Sequence, residues 1–340
     1  MDISSIFVKI KEYIQYSIDN DDYELETILT SKINEDIFKR VFKYLLNDYE
    51  QITENNNESL DMRIVSIKKF EKYRLTIDER LNILRYCKTN NIDEKILKYG
   101  EKKRLAKFPP IISENYPFRM NLKVDTDLND EEKKSEIYKS LKNAKKYYRH
   151  KKRYSFLSKS KLFKIDITIV KSSKQNSKKI VDSGLLNSTQ EYEIEVEFIN
   201  KNLDTNLNID KIVNELFNIV GNILLIADNT KYLMTIPERD EVKKGYIQLA
   251  FDMDKKKADN FVIRNPKHHF IGPQPVTLEL ENLLDYDLNN KSILKNYSVT
   301  DKADGERNLL YIHTDNRVYL INNRLKITYT GLKHPHAKTI

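Results

Sequence analysis

Apolar residues recur at helical spacing over residues 3–18, where Ile3, Ile6, Phe7, Ile10, Tyr13 and Ile14 form one stripe. Residues 23–29 (YELETIL) switch to strict alternation, the period of a strand with two unlike faces. Helical spacing returns over 34–48, through Ile37, Val41, Phe42 and Leu45, and over 208–227. Between these segments the pattern predicts strands at 59–67, 73–77, 95–98, 118–124, 147–157, 163–170 and 191–199, with a short helix at 78–88 capped by Asp78. Further strands are expected at 297–300, 309–313 and 318–321. Many antiparallel strands with helices at the ends and in a few connections make an α+β chain. Residues 171–190 are polar and turn-rich and read as a mobile loop. Residues 252–260 (DMDKKKADN) read as linker, and Pro266, Gly272, Pro273 and Pro275 mark a change of composition beyond it. The expected division is a domain over 1–235, a linker over 236–261 and the start of a second domain over 262–340.

Composition narrows the class. Hydrophobic residues are 39% of the 340, enough for cores, while 32% are charged. One cysteine, Cys87, excludes an intramolecular disulfide and suits a reducing compartment, and no Cys/His cluster suggests structural zinc. The longest apolar stretch, 219–227, is interrupted by Gly221 and Asn222 and falls short of a membrane span. No signal peptide is apparent, so an intracellular, non-secreted protein without a membrane partner is expected. Net charge is +8, and fifteen Lys or Arg against one acid, Asp166, lie between residues 139 and 180. A run of this kind serves as a solvated face or as a surface for polyanions.

Two strands are acidic on one face. Alternation places Glu24 and Glu26 together, and Glu191, Glu193, Glu195 and Glu197 together, with Tyr192, Ile194, Val196 and Phe198 opposite. A solvated face explains one Glu row, yet four in register repel one another unless a cation sits among them. Carboxylate oxygens suit hard divalent cations such as Mg²⁺ or Mn²⁺. A third strand carries Arg149, Lys151 and Arg153 on one face, and neighbours add Lys123, Lys164 and Asp166. A closed antiparallel barrel with these acids and bases inward would hold a metal and a polyphosphate together, the guanidinium groups clamping phosphate oxygens.

The order ExE, RxKxR, IDxT and a late ExExE resembles the metal-dependent RNA 5′-triphosphatases of the triphosphate tunnel metalloenzyme superfamily, over about residues 20–230. The segment from Lys151 to Ser173 is most similar to giant-virus members of that family. The resemblance implies an antiparallel β tunnel with surrounding helices. Glu24, Glu26, Glu193, Glu195 and Glu197 would be its metal ligands, and Arg149, Lys151, Arg153, Lys123 and Lys171 would bind substrate. Glu195 or Asp166 would position the attacking water. Arg74, Lys98 and Lys123 lie on strands whose pattern is less distinctive.

Residues 302–307 (KADGER) contain KxDGxR, which resembles the nucleotidyl-lysine site of mRNA guanylyltransferases and of ATP- or NAD-dependent ligases. The chemistry needs a lysine made neutral enough to attack an α-phosphate. Asp-Gly also occurs in ordinary charged hairpin turns. Residues 270–279 (FIGPQPVTLE) resemble the segment preceding this motif in viral capping enzymes. By this resemblance Lys302 accepts GMP, while Arg307 and Arg324 contact the nucleotide. A nucleotidyltransferase domain of the ATP-grasp/ligase-like α+β kind would begin here, with its later motifs and lid beyond Ile340.

The combined expectation is the N-terminal part of a giant-virus type mRNA capping enzyme. It would act on 5′-triphosphate RNA with Mg²⁺ or Mn²⁺ and use GTP in its full-length form. A cap methyltransferase domain or subunit is an expected partner, and the host cytoplasm, at a viral factory, or the virion is the expected location. The alternatives are a tunnel hydrolase of inorganic triphosphate or nucleoside triphosphates, and a non-catalytic RNA-binding module built on the basic run. The inward acid rows separate them, because a binding module gains nothing from carboxylates facing its ligand.

Overall fold

Alternation of outward apolar and inward charged residues organises the larger unit. The computed structural model describes residues 3–52, 57–199, 208–284, 292–294, 297–301 and 305–335. The chain divides into two units, Met1–Asn229 and Thr230–Ile340. In the first, β1 (Tyr23–Leu29), β3 (Glu58–Ile64), β4 (Tyr73–Asp78), β5 (Leu97–Arg104), β7 (Phe118–Asp127), β8 (Lys146–Leu157), β9 (Phe163–Ser172) and β10 (Glu191–Phe198) form one sheet. Its order is β1-β10-β9-β8-β3-β4-β5-β7, and β7 pairs back onto β1, so eight antiparallel strands close into a barrel. Short β2 (Glu50–Gln51) and β6 (Ile111–Ile112) add to β8 and β7.

Closure removes the edges that an open sheet of this size would expose. Leu25 and Leu29 of β1, Ile165 and Ile167 of β9, and Ile194, Val196 and Phe198 of β10 are buried on the outer side. Each such side chain contributes about 1.5–3 kcal/mol when withdrawn from water. Helices α1 (Ile3–Asp19), α2 (Glu35–Asp48) and α5 (Ile209–Asp228) cover that apolar exterior. Phe7 stacks on Phe217 at 5.3 Å, and Phe38 meets Tyr192 of β10 at 5.1 Å. A second apolar cluster joins Leu60, Met62, Leu75 and Ile77 to Ile83 and Tyr86 of α3 (Arg80–Thr89) and to Ile137 and Leu141 of α4 (Glu131–Leu141).

Several local expectations change. Asp78 does not cap α3: it is the last residue of β4, opposite Ser59, and Glu79 turns the chain at φ 71° before the helix begins. Helix α4 is absent from the sequence reading because only Ile137 and Leu141 of its eleven residues are buried, although Asp130 caps it by accepting from Lys133 N at 2.9 Å. Residues 171–190 are packed rather than mobile, because Ser177 exchanges backbone hydrogen bonds with Lys146 while Ile180, Ser183 and Leu185 are buried.

The second unit holds α6 (Ile236–Phe251), α7 (Lys255–Asp259) and an antiparallel sheet of β11 (Asn308–Ile312), β12 (Arg317–Asn322) and β13 (Ile327–Lys333). The stretch read as linker, 236–261, is therefore structured. Thr235 caps α6 by accepting from Glu238 N at 3.2 Å, and Val242, Tyr246, Ile247 and Ala258 enter a core with Tyr319, Ile321 and Ile327. Residues 297–300 form no strand; Tyr297 and Val299 are exposed and have no apolar layer to face. Among the described residues no helix is long and apolar enough to cross a membrane.

Lys146, at the start of β8, is fully buried and donates to the carbonyls of Leu141 (2.7 Å) and Ala144 (3.2 Å), closing the end of α4. Lys146→Met is expected to cost about 1–3 kcal/mol, the penalty for buried carbonyls left without a donor. Burial pushes the ammonium pKa down to about 8, below the value of about 10.4 in an unfolded chain. The folded state thus releases this proton first, and stability rises with pH through that window. Urea unfolding at neutral and alkaline pH should show wild type gaining on Lys146→Met; a constant gap between them would sink the assignment.

Candidate active site

Ladder registers place the inward residues beside one another. Across β10–β9–β8, Glu195 pairs with Asp166 and Asp166 with Ser155, while Glu193 pairs with Thr168 and Thr168 with Arg153. In the β1–β10 ladder Glu26 lies opposite Glu197, and in β1–β7 Glu24 lies opposite Lys123. Glu24, Glu26, Glu193, Glu195, Glu197, Asp166, Lys123, Arg149, Lys151 and Arg153 therefore share the lumen, each partly or wholly withdrawn from solvent.

Side chains of the lumen pair both with residues directly opposite and along diagonals of the ladder. Arg149 donates to both oxygens of Glu193 at 2.6 Å. Arg153 donates to Asp166 at 2.9 Å and lies 3.8 Å from Glu195. Lys164 lies 2.5 Å from Glu197, and Lys123 pairs with Glu26 and, at 3.5 Å, with Glu24. Lys151 pairs with Asp61, which also accepts from Thr76 Oγ1 at 2.9 Å. On the far wall Arg74 forms a two-pronged pair with Asp125 at 2.9 and 3.0 Å, joined by Lys102 at 3.2 Å.

Asp61, Asp125 and Lys102 were missed in the sequence. Their signal was the same alternation, in Ser59-Asp61-Arg63 and Asn121-Lys123-Asp125, but mixed charges lack the uniform sign that made the Glu rows visible. Lys171 is a correction. It pairs with His150, between Arg149 and Lys151, so it faces outward and its Nζ reaches the Leu186 carbonyl at 3.4 Å. An odd step along β9 moves a side chain to the other face.

Electrostatics separate the two walls. Burial raises the pKa of Glu195, and Glu26 and Glu193 raise it further against the pull of Arg153. Burial also raises Glu24; Lys123 opposes this, while Glu197, Asp125 and Glu26 add to it. Burial lowers Lys151, with Arg153 and Arg149 adding to the effect against Asp61. Like charges are thus crowded on each side, the acids on β1 and β10 and the bases on β8.

Two family models match the chain. Residues 9–232 match "mRNA capping enzyme, beta chain" and residues 227–336 match "mRNA capping enzyme, catalytic domain". The chain belongs to the mRNA capping enzyme beta-chain family. A probable mRNA-capping enzyme of Acanthamoeba polyphaga mimivirus is 30% identical over 180 residues, which span 53% of this chain and 12% of the relative. The crystal structure of the RNA triphosphatase domain of a trifunctional mimivirus capping enzyme is 22% identical, covers 67% of this chain and 99% of that domain, and has a TM-score of 0.48. A monoclinic form of the mimivirus capping enzyme triphosphatase is 23% identical, covers 66% and 99%, and gives 0.47.

The capping-enzyme family and the closed tunnel imply a divalent metal. Among the described residues no three His, Cys, Asp or Glu side chains converge on one point, since each inward acid turns to a base. The donor set nevertheless fits a hard cation. It is all carboxylate, its two rows lie side by side, and their mutual repulsion is what a cation relieves. Thr168 adds a buried hydroxyl without a partner among the described residues, between Arg153 and Glu193 in register. Buried polar groups are rarely left unpaired, so this one suits a bound group in the lumen.

In the second unit Lys302 lies outside the described residues. Asn308 pairs with Asn322, so Arg307 and Arg324 flank the same end of the three-stranded sheet. Arg307 donates to the Pro273 carbonyl at 2.7 Å and to Gln274 Oε1 at 3.3 Å, joining the 270–279 segment to the KxDGxR segment, while Arg324 is exposed in the β12–β13 turn.

Proposed function

We propose that the barrel hydrolyses the γ-phosphate from the 5′-triphosphate end of RNA, and that the second unit begins a guanylyltransferase using GTP. The observation that carries the first reading is a closed tunnel with carboxylate rows on β1 and β10 facing the basic ladder of β8. A non-catalytic RNA-binding surface gains nothing from inward acids, so the arrangement favours chemistry on phosphate.

Glu24, Glu26, Glu193, Glu195 and Glu197 are assigned to a Mg²⁺ or Mn²⁺ ion, which when bound polarises the γ-phosphate. Arg149, Lys151 and Arg153 hold the triphosphate oxygens, exchanging their carboxylate partners for phosphate and stabilising charge that develops in transfer. Arg153 supplies a planar fork, held at its base by Asp166. Asp166 is 2% exposed, with Ser155 donating to one oxygen at 2.6 Å and Arg153 to the other. It is a positioning residue. Among the described residues Glu195 makes the 3.8 Å contact to Arg153 and no shorter one, and so has oxygens available to orient the attacking water and accept its proton.

In the second unit Lys302 is assigned as the nucleophile toward GTP, with Arg307 and Arg324 as nucleotide contacts. A cap methyltransferase is the expected partner downstream. The test is phosphate release from γ-labelled triphosphate-ended RNA with and without Mg²⁺ or Mn²⁺. Release that needs the divalent ion supports the reading, and no release with either ion rejects it.

A further inference from the structure

The two mouths of the barrel differ in charge. At one mouth β3 and β9 end and β8 begins, and three turns are stitched together there. Val65 N donates to the Lys145 carbonyl at 3.0 Å and Lys145 N donates to Ser66 Oγ at 3.0 Å. Lys146 and Ser177 exchange backbone hydrogen bonds at 2.8 and 3.1 Å. These contacts fix Lys68, Lys142, Lys145, Lys174, Lys178 and Lys179 around one rim, all exposed. None of the six has an acidic partner among the described residues, whereas the lumen bases are nearly all paired. The opposite mouth, where β1 begins and β7 ends, is of mixed sign: exposed Asp21, Asp22, Glu79, Asp127 and Asp130 lie there beside exposed Arg80, Lys95, Lys159 and Lys161.

The lysine rim leads inward. Arg63 of β3 sits on the lumen side at this end, and Arg149, Lys151 and Arg153 follow down β8 toward the acid rows. A polyanion approaching from here meets the six lysines, among which Glu71, Asp182 and Glu191 are exposed acids of the same rim, and then the β8 bases before the lumen carboxylates. From the other mouth it meets acids and bases interspersed.

We propose that RNA enters the tunnel only through the lysine rim, with its 5′ end running down the β8 ladder and the phosphates behind it lying on Lys142, Lys145 and Lys178. This rests on the triphosphatase reading and adds a direction of entry and a surface for the RNA body. Unpaired lysines on turns suit a flexible single strand, because they attract phosphates without demanding a base sequence. An acidic protein seated on the same rim is the competing occupant.

The experiment compares wild type with Lys142→Glu/Lys145→Glu/Lys178→Glu, on two surface turns, 142–145 and 173–179, where charge reversal leaves the core intact. Affinity for 5′-triphosphate RNAs of increasing length is measured by fluorescence polarisation at several salt concentrations, and hydrolysis of inorganic triphosphate is followed in parallel. The variant should bind the longer RNAs at least tenfold more weakly and lose the gain in affinity with length. Its slope of log K against log salt should fall by about 2, since each single-strand phosphate contact contributes about 0.7. Inorganic triphosphate, too short to reach from lumen to rim, should be hydrolysed within twofold of wild type. Unchanged RNA affinity in the variant would overturn the proposal and leave the rim to an acidic protein. Lost RNA affinity from a wild type that hydrolyses no triphosphate would keep the rim and reject the triphosphatase reading instead.

Discussion

Glu26→Gln and Glu195→Gln should each lower divalent-dependent phosphate release by about 10²-fold or more, the scale of removing one preorganised electrostatic group from a transition state. Gln keeps the shape of Glu and removes the charge that a hard cation requires. The two positions approach the proposed metal from different strands, β1 and β10, so equal losses would tie the two rows into one site. Their structural consequences differ. Glu26 pairs with Lys123, whose pKa it raises against burial, so Glu26→Gln leaves that ammonium with Glu24, at 3.5 Å, as its acidic partner among the described residues. Among the described residues Glu195 has only the long contact to Arg153, so its loss should hardly move the urea midpoint. Circular dichroism and unfolding curves beside the kinetics separate lost chemistry from lost fold. Near wild-type release by both variants in excess Mg²⁺ or Mn²⁺ would reject the metal assignment.

Arg153→Lys should lower kcat on triphosphate-ended RNA by about 10²-fold while leaving affinity for the RNA body unchanged. The substitution keeps the charge and removes the fork that meets two oxygens at once. Arg153→Ala is less informative, because it strands Asp166, at 2% exposure, with only Ser155 and the 3.8 Å contact to Lys164. Breaking such a buried pair costs about 3–5 kcal/mol and would confuse folding with catalysis. The comparison is therefore made on the Lys variant, reading kcat separately from RNA affinity. If Arg153→Lys turns over normally, the guanidinium has no special place at the phosphate. If it instead weakens RNA binding as strongly as charge reversal at the rim, the lumen and rim act as one undifferentiated basic surface.

Much of the site was legible in the chain because a strand with two unlike faces announces itself. Glu191 to Phe198 alternates without a break, so which residues face together follows from a period of two, whatever the partners. The same holds for Glu24 and Glu26 and for Arg149, Lys151 and Arg153. Short-range patterns failed where few residues carry the signal. α4 buries two side chains, and α6 lies in a stretch whose polarity resembled a connection, although Thr235 and Glu238 mark its start. Asp78 looked like a cap because its side chain suits one, yet the ladder with Ser59 claims its backbone for β4.

Alternation says which side chains share a face of one strand, and hence that acids and bases are segregated from the apolar residues of this chain. It does not say which strands are neighbours, nor how far each is shifted along the next. Those choices arise when β7 closes onto β1, because closure imposes one strand order and one stagger on all eight strands. That stagger carries Arg149 to Glu193 and Arg153 to Asp166, sends Lys171 outside, and recruits Asp61, Asp125 and Lys102 from strands with no distinctive motif. Chemical identity is local to the residue, but proximity across a barrel is a property of the closed sheet.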